Sequence, residues 1–214
     1  MDNAPVDTAA ARKVMVDSQV RVNDVTDRGV QAALLSVARE KFCAPDRAWA
    51  AYAEVEVEIT GDRKLMMARD VAKLLQALQP RAGETALAIA GPYAASVLAA
   101  MGLTVTAQDS DQAVLDVVSE GLAEAGVTTV NQPLSEPAGG DYDLIVSEVG
   151  VAQRPEAWIA ALKVGGRLAV VERAGPAGKA VLYVKGREGV SRRELFDSNP
   201  GVVAEMTPAP AFAL

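Results

Sequence analysis

Apolar residues follow two rhythms along this chain. Up to about residue 80 the spacing is mostly helical, interrupted by one alternating stretch. Residues 8–22 place Val14, Met15, Ser18 and Val22 at helical spacing, with Thr8 available as a cap. Residues 27–38 repeat the pattern with Val30, Leu34, Leu35 and Val37 inward. Residues 51–59 alternate strictly, which predicts a half-exposed edge strand with Glu54, Glu56 and Glu58 on its wet face. After Gly61, residues 65–78 set Leu65, Met66, Ala68, Val71, Ala72, Leu75 and Leu78 near one stripe, which predicts a helix ended by Pro80 and Gly83.

From Thr85 short apolar runs alternate with helical ones. Strands are expected at 85–90, 104–107, 127–130, 143–147 and 167–171, with helices from Gly91 to about Met101, at 111–125 and at 155–162. Short apolar strands separated by helices predict an α/β domain with a parallel sheet covered on both faces. The end departs from this rhythm. A strand at 180–185 is followed by a polar stretch and then 201–206 or 209–213, with no helix between, so the last two strands should pair antiparallel. The expected division is an N-terminal extension, 1–64, and a Rossmann-like α/β domain, 65–214.

Composition narrows the chemistry. The 214 residues are 50% hydrophobic with a net charge of −7, which suits a globular domain and argues against nucleic acid. No run is long enough to span a bilayer, and Met1-Asp-Asn-Ala-Pro5 lacks a signal-peptide pattern, so a cytoplasmic protein is expected. There is no histidine, which excludes His-based triads and His metal ligands, and the one cysteine, Cys43, forbids an internal disulfide. Cys43, Trp49 and Trp158 read as packing residues, and Arg192-Arg193 as a solvated pair.

In a doubly wound sheet a ligand lies beyond the C-terminal strand ends where strand order reverses. The Ala90-Gly91-Pro92-Tyr93 turn, Asp109 and the segment from Ser147 to Gly150 should converge there. A glycine turn lets backbone N–H groups approach a ligand, and an acid after the second strand can accept bonds from ribose hydroxyls.

Several segments carry a family resemblance over most of the chain. Met15-Val-Asp-Ser-Gln-Val-Arg21, Val37-Ala-Arg-Glu-Lys-Phe42, the Ala51-Tyr52 pair, Asp141-Tyr-Asp-Leu-Ile-Val146 and Leu162-Lys-Val-Gly-Gly-Arg-Leu168 are similar to signatures of the protein-L-isoaspartate O-methyltransferase family. The resemblance implies a three-layer α/β/α methyltransferase fold, mostly parallel with a C-terminal antiparallel strand pair. It implies S-adenosylmethionine as cofactor, held near Ala90, Gly91, Tyr93, Asp109, Ser110 and Ser147, and methyl transfer to an isoaspartyl carboxylate in a protein or peptide. A carboxylate is already a nucleophile at neutral pH, so positioning can carry much of that catalysis. This chain departs from the family at Leu87-Ala-Ile-Ala-Gly-Pro-Tyr93, a shortened loop with one glycine. It departs again at Gly61-Asp-Arg-Lys-Leu-Met-Met67, which has no hydroxyl where the family has a serine. No catalytic residue is assigned. A divergent carboxyl methyltransferase and a non-catalytic binding or assembly protein on the same scaffold both remain open.

Overall fold

The computed structural model describes residues 7–207. A seven-stranded sheet forms its centre, in the order β5-β4-β3-β6-β7-β8-β9. Its strands are β3 (Thr85–Ile89), β4 (Thr104–Asp109), β5 (Thr128–Asn131), β6 (Tyr142–Val151), β7 (Leu162–Glu172), β8 (Lys179–Lys185) and β9 (Val190–Asp197). Strands β5 through β7 run parallel, whereas β8 pairs antiparallel with both β7 and β9. Strand order reverses between β3 and β6, so the crevice opens beyond Ile89, Asp109 and Ser147.

Strand alternation sorts the core into two faces. Ala86, Ala88, Val105, Ala107, Leu144 and Val146 join the larger apolar cluster, whereas Leu87, Ile89, Ile145, Leu168 and Val170 join the second. The larger cluster packs under α3 (Ala68–Leu78), α4 (Pro92–Ala100) and α5 (Gln112–Glu124), and it also takes in Met15, Val20 and Leu34 from the N-terminal helices. The second face has a thinner cover: the five-residue α6 (Glu156–Ala160) with Trp158 and Ile159, plus Leu134 and Val203.

The N-terminal layer differs in detail from its sequence pattern. Helix α1 (Thr8–Met15) is capped by Asp7, which accepts from the Ala10 N–H at 3.0 Å, and Thr8 is its first helical residue. A π turn at Val16–Val20 and a 3-10 turn at Arg21–Asn23 rotate the stripe, so Met15, Val16 and Val20 are buried while Val14 and Val22 face water. Asp27 caps α2 (Arg28–Ser36), which buries Val30, Ala33 and Leu34 and exposes Leu35.

The alternating stretch yields only β1 (Val57–Thr60), which pairs with β2 (Arg63–Leu65) in a separate hairpin rather than on the sheet edge. Leu65 is therefore a strand residue, and α3 starts at Ala68. The three glutamates do not share a site. Glu54 pairs with Arg69 at 2.6 Å, Glu56 accepts from the Gly201 N–H and Glu58 faces Arg47.

The antiparallel pair at the end is β8 with β9, so the polar stretch after Lys185 is itself a strand. Residues 201–206 make one isolated bridge, Val202 to Gly150, and a short 3-10 turn at Ala204–Met206. The alternative strand at 209–213 lies outside the described residues. Trp158 anchors packing and donates its indole N–H to the Leu134 carbonyl at 2.7 Å, but Trp49 is 72% exposed. Arg192 is not simply solvated, because it bonds Glu172 and Glu194.

Candidate functional site

The crevice is built from the ends of β3, β4 and β6. Ile89 pairs with Gln108 on one side and Ser147 on the other, so the turn after β3 lies between the other two strand ends. Pro92 opens α4 at a position where its missing N–H is no loss. Ala90 must bend the chain into that helix with φ of 46°, a left-handed conformation that disfavours any residue with a Cβ.

Asp109, at the tip of β4, is almost fully buried. Its carboxylate accepts from Arg63 Nε at 3.2 and 3.1 Å and from the Asp111 N–H at 3.0 Å. Burial pushes the Asp109 carboxyl above its ordinary value, and the Arg63 guanidinium works against that rise. The same guanidinium donates to Ser110 Oγ at 3.0 Å and to Asp62 at 2.5 Å. Ser110 in turn donates to Glu205 at 2.6 Å, and the other Glu205 oxygen accepts from the Leu134 N–H at 2.5 Å. The hairpin and the 3-10 turn near the C-terminus thus meet over the end of β4.

Glu148 fills the other side of the turn. It is buried next to Ser147 near the end of β6, and its Oε1 accepts from the Ala94 N–H at 2.8 Å. A Cβ on Gly91 would come within 3.4 Å of the Glu148 backbone nitrogen, so the close approach this glycine permits is used by the protein itself. Burial pushes the Glu148 carboxyl up, opposed by the Ala94 N–H and by Arg39. Glu148 Oε2, Arg39 Nη1 and the Tyr93 hydroxyl are buried without a partner among the described residues.

Five of the six residues expected at the cofactor site meet at the strand ends, already in contact with other parts of the protein, and Tyr93 turns away. Ala90 donates its N–H to the Gln108 carbonyl at 2.8 Å. Gly91 lies against Glu148, and Asp109 and Ser110 are held by Arg63. Ser147 is turned back on its own strand, bonding the Val149 carbonyl and N–H at 3.2 Å each. Tyr93 points into the N-terminal layer, its ring 5.9 Å from Phe42 and 4.7 Å from the Arg39 guanidinium carbon. Arg63 and Glu205 were not identified by sequence reasoning, and Glu148 was included only as part of the segment from Ser147 to Gly150. Of these, Glu148 carried a local signal, a carboxylate beside Ser147 in a mostly apolar stretch from Leu144 to Val151.

These residues do not fit S-adenosylmethionine as they stand. A void of about 10 Å³ lies beneath the turn, bordered by Gly91, Pro92 and the α5 residues Val114, Val118 and Leu122. The acid that would accept ribose hydroxyls already holds a guanidinium.

Comparison with known proteins supplies the ancestry. Residues 10–192 match the family described as Protein-L-isoaspartate(D-aspartate) O-methyltransferase. A protein-L-isoaspartate O-methyltransferase of Rhodopseudomonas palustris is 34% identical over 161 residues, 72% of this chain and 74% of that protein. One from Methylorubrum extorquens is 31% identical over 201 residues, covering 91% and 87%. Among solved structures, a protein-L-isoaspartate O-methyltransferase from Plasmodium falciparum in complex with S-adenosyl-L-homocysteine superposes with a TM-score of 0.78 at 15% identity, covering 91% of this chain and 98% of that one. At that identity the likeness establishes the fold.

Proposed function

This chain belongs to the protein-L-isoaspartate O-methyltransferase family of S-adenosylmethionine-dependent methyltransferases, and from that premise we propose that it acts as a non-catalytic binding or assembly protein on the methyltransferase scaffold. The observation that carries this reading is the buried Arg63–Asp109 pair, which occupies the carboxylate expected to hold ribose. The lost serine at the segment ending in Met67 and the Glu148 side chain against Gly91 point the same way. The family acts on isoaspartyl sites in proteins, and this chain would engage a protein partner without modifying it. The reading keeps the cytoplasmic location expected from the sequence; no helix among the described residues is long and apolar enough to cross a membrane.

A second reading rests on the hairpin. Strands β1 and β2 pair only with each other, so a shift of the hairpin could withdraw Arg63 and free Asp109 without disturbing the main sheet. The protein would then be a divergent methyltransferase that admits cofactor in an open form. Calorimetric titration with S-adenosylmethionine and its demethylated product separates the two. The non-catalytic reading expects no heat at millimolar ligand and no methyl transfer to an isoaspartyl peptide. Saturable binding that Asp109→Ala weakens and Arg63→Ala strengthens would overturn it in favour of the second.

A further inference from the structure

Residues 201–206 cross the mouth of the crevice. The Gly201 carbonyl accepts from the Gly150 N–H of β6 at 2.9 Å, and Val202 bridges to the same residue. A little further along, Glu205 accepts from Ser110 just beyond β4 and from the Leu134 N–H beyond β5. In the sheet β3 lies between β6 and β4, so this segment passes over the end of β3, where strand order reverses. The tip of the β1–β2 hairpin, residues 60–63, reaches the same place and sets Arg63 on Asp109.

The two pieces are tied to each other. Asp62 Oδ2 accepts from the Ala204 N–H at 3.3 Å. Arg63 bonds Asp62 and Asp109 directly and reaches Glu205 through the Ser110 hydroxyl, which accepts from the guanidinium and donates to the carboxylate. One guanidinium thus serves three carboxylates, and release of either piece weakens the hold on the other. The apolar anchors lie behind these contacts. Val57, Ile59 and Leu65 fix the hairpin in the larger cluster, and Val203 fixes the C-terminal segment in the second. Ahead of the anchors, Gly61, Asp62, Ala204 and Glu205 are all exposed. Segments held by surface hydrogen bonds with few buried apolar contacts open at lower cost than a core.

We propose that the hairpin tip and the 3-10 turn at Ala204–Met206 form a two-part lid over the crevice that opens as one unit, latched by Asp62, Arg63, Ser110 and Glu205. The anchors act as the two hinges. Opening bares Arg63 and Asp109 together and leaves the seven-stranded sheet intact. The lid follows from these contacts alone and holds whether or not the crevice takes cofactor.

The test is limited proteolysis of the full chain, without ligand, by an arginine-specific endoprotease, with cleavage after Arg63 followed by mass spectrometry. Arg63 is 5% exposed in the closed form, so cutting there reports opening. When cutting is slow relative to reclosing, its rate tracks the open population. Glu205→Ala removes the bonds to Ser110 and Leu134 and should speed cleavage after Arg63 about tenfold, the loss of a hydrogen bond to a charged group. Ala204→Pro deletes the N–H that Asp62 accepts and suits the first position of the turn, because Val203 before it is already extended. It should speed the same cleavage about fivefold. Both substituted residues are exposed and neither bonds Arg63, so the urea midpoint should stay that of the parent. Cleavage after Arg63 unchanged in either variant, or faster only in step with a lowered urea midpoint, would overturn the proposal.

Discussion

Replacing Arg63 by Leu tests whether the crevice is held by a buried ion pair. Both side chains are almost fully buried and the closest approach is 3.1 Å. At an effective dielectric constant of about 20, two unit charges about 3 Å apart attract by about 5 kcal/mol. Desolvation of the two ions offsets most of that gain, so the pair as a whole contributes little. Removing one partner alone strands the other, at about 3–5 kcal/mol. Arg63→Leu should therefore lose about that much stability in urea unfolding followed by circular dichroism. Arg63→Leu with Asp109→Asn should return to within about 1 kcal/mol of the parent, since no charge is left stranded.

The pH dependence fixes the cause. Burial raises Asp109 above its ordinary 3.8, and loss of the guanidinium raises it further. A carboxyl whose folded pKa lies above its unfolded one destabilises the fold at high pH. That penalty shrinks as pH falls through the folded value. The deficit of Arg63→Leu should thus be full at neutral pH and narrow as the solution is acidified. A deficit under about 1 kcal/mol, or one that is pH-independent and simply additive in the double variant, would refute the ion-pair account.

Other positions test other parts of the framework. Ala90→Gly should stabilise the protein by up to about 1 kcal/mol in chemical unfolding, because relief of the left-handed φ of 46° exceeds the added chain entropy. Gly121→Ala should destabilise by about 1–3 kcal/mol and lower the melting temperature, since its Cβ would overlap the Phe42 ring at 2.6 Å. Asp143 is opposed by burial, but the Lys163 ammonium and the Thr85 N–H and hydroxyl outweigh that and hold it below 3.8. Asp143→Asn should accordingly lose about 1 kcal/mol at neutral pH. The difference should fade as pH drops through the depressed folded pKa, which unfolding curves at pH 7 and about pH 3 would show.

The framework was legible wherever local pattern and burial agree. Strand β3 reads as strand because Ala86 to Ile89 are buried on both faces, and Gly91-Pro92 marks the helix start because proline suits that position. Strand β9 was missed because an edge strand with Ser191, Arg192, Arg193 and Glu194 exposed has no apolar rhythm to detect. The charge that hides such a strand from pattern reading also keeps its open edge from pairing with other chains. The rotation of α1 was missed because a π turn changes the period partway through the helix. At the site, Asp109 was visible from its place after an apolar run. Its partner was not, because Arg63 stands 46 residues earlier and meets it only through the fold.

The two ends of the crevice differ in a way that simple decay does not explain. A site that had only lost its function would leave its buried acid stranded, and the cost of that would favour its replacement by an apolar residue. Asp109 instead has both oxygens on Arg63, and Ser110, Asp62 and Glu205 extend the bonding to the hairpin and the C-terminal 3-10 turn. At the other end Glu148, Arg39 and Tyr93 keep buried polar atoms unpartnered, where burial holds the Glu148 carboxyl and the Tyr93 phenol above their ordinary values. Asp109 is a structural anchor in this conformation, while the end near Met66 has unmet bonding capacity among the described residues. The scaffold therefore has a reason to keep Asp109 that does not require cofactor. An aspartate at the end of β4 is accordingly accounted for by the Arg63 pair alone, whether or not cofactor binds.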